Sequence, residues 1–266
     1  MMSWKSLSQS ILKSHITSVS KRSCRSIHTV PTLANDSLWT NKGIPQLLTS
    51  QGYKLAWNDY QSYCATQLSL LTVGTDLEHQ TPFQIMLTTQ GLAHQASIFH
   101  YASQLHNNHF FFSALVNDPN TNTSVPNREL VRKIESTFQS FEQFKKEFLA
   151  KAESLNGNGW VYLIENADKG LEIRVFNNEG SPYFYNRNQD VNLSSPINLA
   201  EYEKLQKYQS NLNSKVKDWS LPLLGVSVWD YTYVYDYGAD KKKEYLENVW
   251  KAINWDVVNK RVFVLN

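Results

Sequence analysis

The chain has 266 residues, 41% of them hydrophobic and 13% aromatic, and its 26 Lys and Arg against 24 Asp and Glu give a formal net charge of +2. That length supports a sizeable hydrophobic core, and with only 10 glycines and two cysteines, Cys24 and Cys64, the chain is neither fibrous nor framed by disulfides. No apolar run approaches the roughly 20 residues that cross a bilayer, so no membrane partner is expected, and the near balance of charge argues against a broad nucleic-acid-binding face.

The first 34 residues carry Lys5, Lys13, Lys21, Arg22 and Arg25 with many serines, and no acidic residue precedes Asp36. Trp4, Leu7, Ile11 and Ile16 recur at helical spacings. This is the composition of a mitochondrial transit peptide, and residues 1–34 are assigned to one. Setting those five basic residues aside leaves 21 basic against 24 acidic side chains, a net of −3 for the remaining chain, so protein partners are expected ahead of RNA.

Residues 35–118 read as a helical-hairpin domain. Trp57, Tyr60, Cys64, Leu68 and Leu71 mark one face of a first long helix. Thr81-Pro82 is an N-cap followed by proline at the first helical position, opening a second helix through Ile85, Leu92, Ala96 and Phe99 toward Phe112. The Asn- and Pro-rich stretch 117–127 is a loop and domain boundary, and residues 119–266 form the second unit. Helical pattern resumes at Leu130, Ile134 and Phe138. Another helix opens at Ser140, with Gln143 placed for a capping box and Phe141, Phe144 and Phe148 on one face. Strands are expected over 160–164, 171–176 and 223–229. The long connection before the third strand is read as an insertion at about 181–220, in which Leu199, Tyr202, Leu205, Tyr208 and Leu212 are helically spaced beside Lys204 and Lys207. A closing helix carries Tyr245, Val249, Trp250 and Ile253. The fold class is α+β: a long helical hairpin, then a small three-stranded antiparallel sheet flanked by helices.

Four segments occur in this order: residues 141–146 (FEQFKK), Gly157-Asn-Gly-Trp160, residues 221–237 (LPLLGVSVWDYTYVYDY) and residues 249–255 (VWKAINW). Together they resemble the iron/manganese superoxide dismutases, and the resemblance runs from about Gly52 to Val264. It implies a metal held by three histidines and one aspartate. At the matching positions this sequence has Ala56, His109, Tyr231 and Ser227, so one donor of four is kept. Cys64 replaces the tyrosine that gates the substrate funnel, and Ser113 a tryptophan. Iron and manganese are held by nitrogen and carboxylate donors together, and a lone imidazole does not retain them. The resemblance therefore implies no cofactor, no catalytic residue and no enzyme activity.

Within this superfamily the chain is similar to metal-less mitochondrial small-subunit ribosomal proteins of fungi. That likeness implies a structural component of the mitochondrial small ribosomal subunit, in the matrix, supporting mitochondrial translation. Its implied partners are other small-subunit proteins, a related dismutase-like subunit paired as a heterodimer through Trp229, Asp230, Tyr231 and Tyr233, and rRNA touched locally through Lys241, Lys242, Lys243, Lys204 and Lys207. A metal-dependent dismutase or other oxidoreductase of the same fold, and a free matrix protein-binding module, are the alternatives.

Overall fold

The computed structural model describes residues 27–166, 169–183 and 220–262. After an extended segment from Ile27 comes the short helix α1 (Asp36–Lys42); beyond a turn, α2 (Ser50–Tyr53), a π-turn (Lys54–Asp59) and α3 (Tyr60–Thr72) form one continuous rod. Then come α4 (Pro82–Thr89) and the long α5 (Ala96–Phe112). The second half runs α6 (Arg128–Phe138), α7 (Phe141–Ser154), β1 (Gly159–Asn166), β2 (Leu171–Asn177), β3 (Ser220–Ser227), α8 (Asp230–Tyr237), α9 (Lys242–Ala252) and α10 (Trp255–Arg261). This is the α+β arrangement expected from the patterning.

The sheet order is β2-β1-β3, both pairings antiparallel. Central β1 is buried along nearly its whole length, so it reads as a continuous apolar run, Trp160-Val-Tyr-Leu-Ile164, without alternation. Pro222 has no N–H to give the ladder, and the β1–β3 register shifts beside it, between Leu163 and Ile164. The freed Leu223 carbonyl accepts a hydrogen bond from the Arg261 guanidinium at 3.1 Å. Gly225 is needed where Tyr162 crosses the strand, because a Cβ there would lie 2.4 Å from the Tyr162 ring.

Thr81 forms a full capping box with Gln84, and Pro82 opens α4. The helix expected to run on to Phe112 is broken instead: α4 stops at Thr89, Gly91 turns at φ 79°, and Leu92 is 40% exposed. At Ser140 the hydroxyl accepts from the Gln143 N–H, but the Gln143 amide turns away to Glu147, so the box is only half made. On α3 the buried stripe runs through Cys64, Leu68 and Thr72, and Leu71 lies off it at 38% exposure.

The main core draws on both halves. Trp39, Tyr53, Trp57 and Phe112 from the helical end share one cluster with Phe144, Trp160, Leu223 and Trp250. A second cluster, around Cys64, Leu68, Ile85 and Leu105, lies within the hairpin. The halves are also joined through the backbone, where Val116 donates to the Ala252 carbonyl and Asn254 to the Ala114 carbonyl. Residues 28–34 belong to this body: His28 is 5% exposed, and Val30 and Leu33 pack on the core. The packed body therefore begins at His28, within the segment 1–34.

The expected insertion leaves the body at Tyr183 and returns at Ser220, where the Ser220 N–H donates to the Tyr183 carbonyl at 3.4 Å and its hydroxyl to the Pro182 carbonyl. Glu179 pairs with His100, the Asn107 amide donates to the Gly180 carbonyl, and His106 shares a hydrogen bond with Tyr183 at 2.8 Å, so α5 fixes the departing stem. Because the two ends already touch, replacing residues 184–219 by a turn of about four residues should leave the melting temperature within about 2 °C of the parent, measured by circular dichroism.

Candidate functional site

The residues singled out by the sequence converge where α3 and α5 meet the end of β3. Ala56 lies in the π-turn and is fully buried. Such turns open the backbone ladder, and here the Ala56 carbonyl accepts a hydrogen bond from the Asn108 amide at 2.9 Å. Ser227, at the end of β3, pairs its hydroxyl with that of Thr232 at 2.8 Å, while its carbonyl accepts from the buried Tyr245 hydroxyl. Tyr231, in the first turn of α8, stacks face to face on Tyr60 at 3.7 Å and reaches the Gln104 side-chain oxygen at 3.5 Å. The stack joins the hairpin to the C-terminal layer.

Among the described residues named at this junction, none carries a formal charge. Burial, followed by the neighbouring Tyr60, holds the Tyr231 phenol protonated far above its ordinary range. Burial likewise raises Tyr60 and pushes the Cys64 thiol up to about 12, despite a hydrogen bond from Tyr60 that opposes the shift. Gln61 and Gln104 are fully buried, and Gln61 donates to the Leu105 carbonyl at 3.2 Å. The chemistry on offer is neutral hydrogen bonding and ring stacking.

His109 is placed elsewhere than expected. Its ring lies 6.0 Å from that of Trp57, interacts with the Thr32 backbone, and lines a cavity of about 140 Å³ with Leu33, Asn35 and Trp39. The α5 side chain that meets Ala56 is Asn108, one residue earlier and about 100° around the helix. Asn108 and Gln104 are therefore the residues that the sequence reading missed. The available signal was a row of polar residues, Gln104, Asn107 and Asn108, at helical spacing on an otherwise apolar face.

The surface positions divide similarly. Asp230 is exposed and Trp229 half-buried, with its ring 6.3 Å from His100. Tyr233 is turned into its own chain, stacked on Tyr245 at 5.0 Å and 5% exposed, so it offers no free pairing surface; the exposed tyrosine of α8 is Tyr235, at 58%. Lys241 and Lys243 are exposed. Lys242 is engaged, its ammonium donating to the Leu155 and Glu153 carbonyls at the end of α7. Its ammonium is thus less free for a phosphate than those of Lys241 and Lys243. Lys204 and Lys207 lie outside the described residues.

Iron/manganese superoxide dismutases, C-terminal domain, is the family that matches the chain, over residues 126–203 and 194–261. Small ribosomal subunit protein mS43 of Schizosaccharomyces pombe is 25% identical over 244 residues, covering 90% of this chain and 85% of that protein. Small ribosomal subunit protein mS42 of the same organism is 29% identical over 190 residues, 69% of this chain and 76% of that one. Superoxide dismutase [Fe] of Bacteroides fragilis is 27% identical over 224 residues, 84% and 95% of the two chains.

Two outcomes are expected for purified protein. Tyr231→Phe keeps the ring stack and should cost under about 1 kcal/mol, whereas Tyr231→Ala should cost about 3–5 kcal/mol, read by chemical denaturation. Burial lowers the pKa of His28 and His109, and that of His106 to about 3. The unfolded chain therefore binds more protons below about pH 6.5, and stability present above that pH is lost as it falls. At pH 5.5 His106 alone should cost about 1 kcal/mol relative to pH 7.5, and His106→Gln should flatten that dependence.

Proposed function

The chain belongs to the iron/manganese superoxide dismutase family, and we propose that it is a structural component of the mitochondrial small ribosomal subunit, keeping the fold without the redox chemistry. The observation that carries this reading is the match spanning 90% of the chain to a protein named as a small ribosomal subunit protein. Residues 1–26, basic and free of acidic side chains, support delivery to the matrix.

The donor set at the junction does not fit the family's metal. Ala56 offers a methyl group, the Asn108 amide is committed to the Ala56 carbonyl, the Ser227 hydroxyl to Thr232, and burial holds Tyr231 as a neutral phenol. Iron and manganese at a redox site require imidazole and carboxylate donors together, and His109 is engaged with Trp57 and the Thr32 backbone. A catalytic role is therefore set aside.

Pairing with a related dismutase-like subunit fits the resemblance to two different proteins of one organism, mS43 and mS42. Trp229 and Asp230 would form its accessible part, backed by Tyr231 and Tyr233. Lys241 and Lys243 are the described lysines that would reach rRNA phosphates. On this reading, proteins of the small subunit and their RNA replace superoxide as what the fold meets.

Sucrose-gradient fractionation of lysed mitochondria, blotted for this chain, should place it with the small subunit. Elemental analysis of the same chain purified should give well under about 0.1 iron or manganese per molecule, because the donors are missing. A chain that stays at the top of the gradient while small subunits sediment normally would defeat the ribosomal reading. Near-stoichiometric metal would restore the dismutase alternative, which the 27% identity to Superoxide dismutase [Fe] keeps in view.

A further inference from the structure

We infer that His28–Asn35 is a permanent strap of the working protein, and that proteolytic removal of the basic N-terminal extension ends at a peptide bond before His28. The inference rests on the targeting reading above and gives it a limit along the chain. The change is ordinary hydrolysis by a processing endopeptidase: water adds across one peptide bond, leaving a carboxylate on the released peptide and an ammonium on the retained chain.

The strap is held along its length by contacts of three kinds. At its start, the His28 backbone N–H donates to the Ser69 hydroxyl at 2.9 Å, and the His28 ring pairs with the Thr72 hydroxyl at 2.9 Å, both on the last turns of α3. In its middle, Val30 packs against both hydrophobic clusters and so ties the hairpin's own core to the shared one. Toward its end, the Thr32 backbone meets the His109 ring, and Leu33 packs on the main core just before α1 begins. The change from surface to interior is abrupt: Ile27 is 38% exposed and His28 only 5%.

A cut after residue 34 would remove each of these contacts. Val30 and Leu33 would be lost from the clusters that they cover, and the His109 cavity would open along the side formed by Thr32 and Leu33. Burial of apolar surface and the buried histidine bonds both favour keeping the strap. A cut before His28 removes only the basic, serine-rich extension, whose five positive charges all precede residue 26.

The test has two independent arms. Mass-spectrometric identification of the first residue of the chain from purified mitochondria should find a start at or before His28. A start at Thr29 or beyond, in protein that has been imported and cut, overturns the inference while leaving targeting intact. An uncut chain beginning at Met1 or Met2 overturns the targeting reading and the inference with it. Separately, the full-length chain carrying His28→Ala with Val30→Ala should melt about 5 °C lower than the parent, and Ile27→Ala should melt within about 1 °C of it. A double variant as stable as the parent shows that the strap is dispensable and overturns the inference, whatever compartment the protein occupies.

Discussion

The burial of β1 constrains everything around it. A central strand hydrogen-bonded on both edges and packed on both faces has no polar outlet, so each neighbouring layer must present apolar surface or a satisfied partner. The aromatic helices α7 and α9 supply one such layer, with Phe144, Phe148 and Trp250 in mutual ring contact. The helical hairpin supplies another through α5. Gly225 exists to let Tyr162 leave that strand, and the bulge at Leu223 gives Arg261 a carbonyl to bind. Arg261 also donates to the Phe110 carbonyl and the Ser113 hydroxyl, so one guanidinium fastens the sheet edge to the end of α5.

At the junction of the halves, the contacts are neutral rings and amides. A charged centre organises its surroundings through a few short, strong bonds and requires balancing donors; neutral rings and amides do so through area and many weaker bonds. The Tyr60–Tyr231 stack and the Asn108–Ala56 bond are of the second kind. Tyr231 and Tyr233 also show why an aromatic-rich segment is not automatically a surface: both rings are largely consumed inside the chain.

Much of the fold was legible because the signals were local and strong. The Thr81 cap, the Phe-rich face of α7, the glycine break before β1 and the short strands all rest on residues whose stereochemistry decides the matter nearby. The misreadings came where neighbouring residues compete or where tertiary contacts decide. His109 and Asn108 are adjacent, and only the phase of α5 against Ala56 says which one faces the junction. Leu92 fits a helical spacing, yet the left-handed Gly91 interrupts the helix before it. Lys242 looks solvated in sequence, and only the position of α7 shows that it caps that helix. The strap was hidden by composition, since it borders a basic segment and its anchoring partners lie some 40 residues away in α3.

The contact between Tyr183 and Ser220 has an evolutionary consequence. Where a chain leaves and re-enters a body at one point, lengthening the excursion changes closure entropy only logarithmically, by about 0.6 kcal/mol for each doubling. Insertions and deletions there are nearly neutral for the rest of the molecule. The family match falls into two stretches that meet in this region, 126–203 and 194–261. Lineages can thus drift in length at this place with little effect on the sheet and its helices.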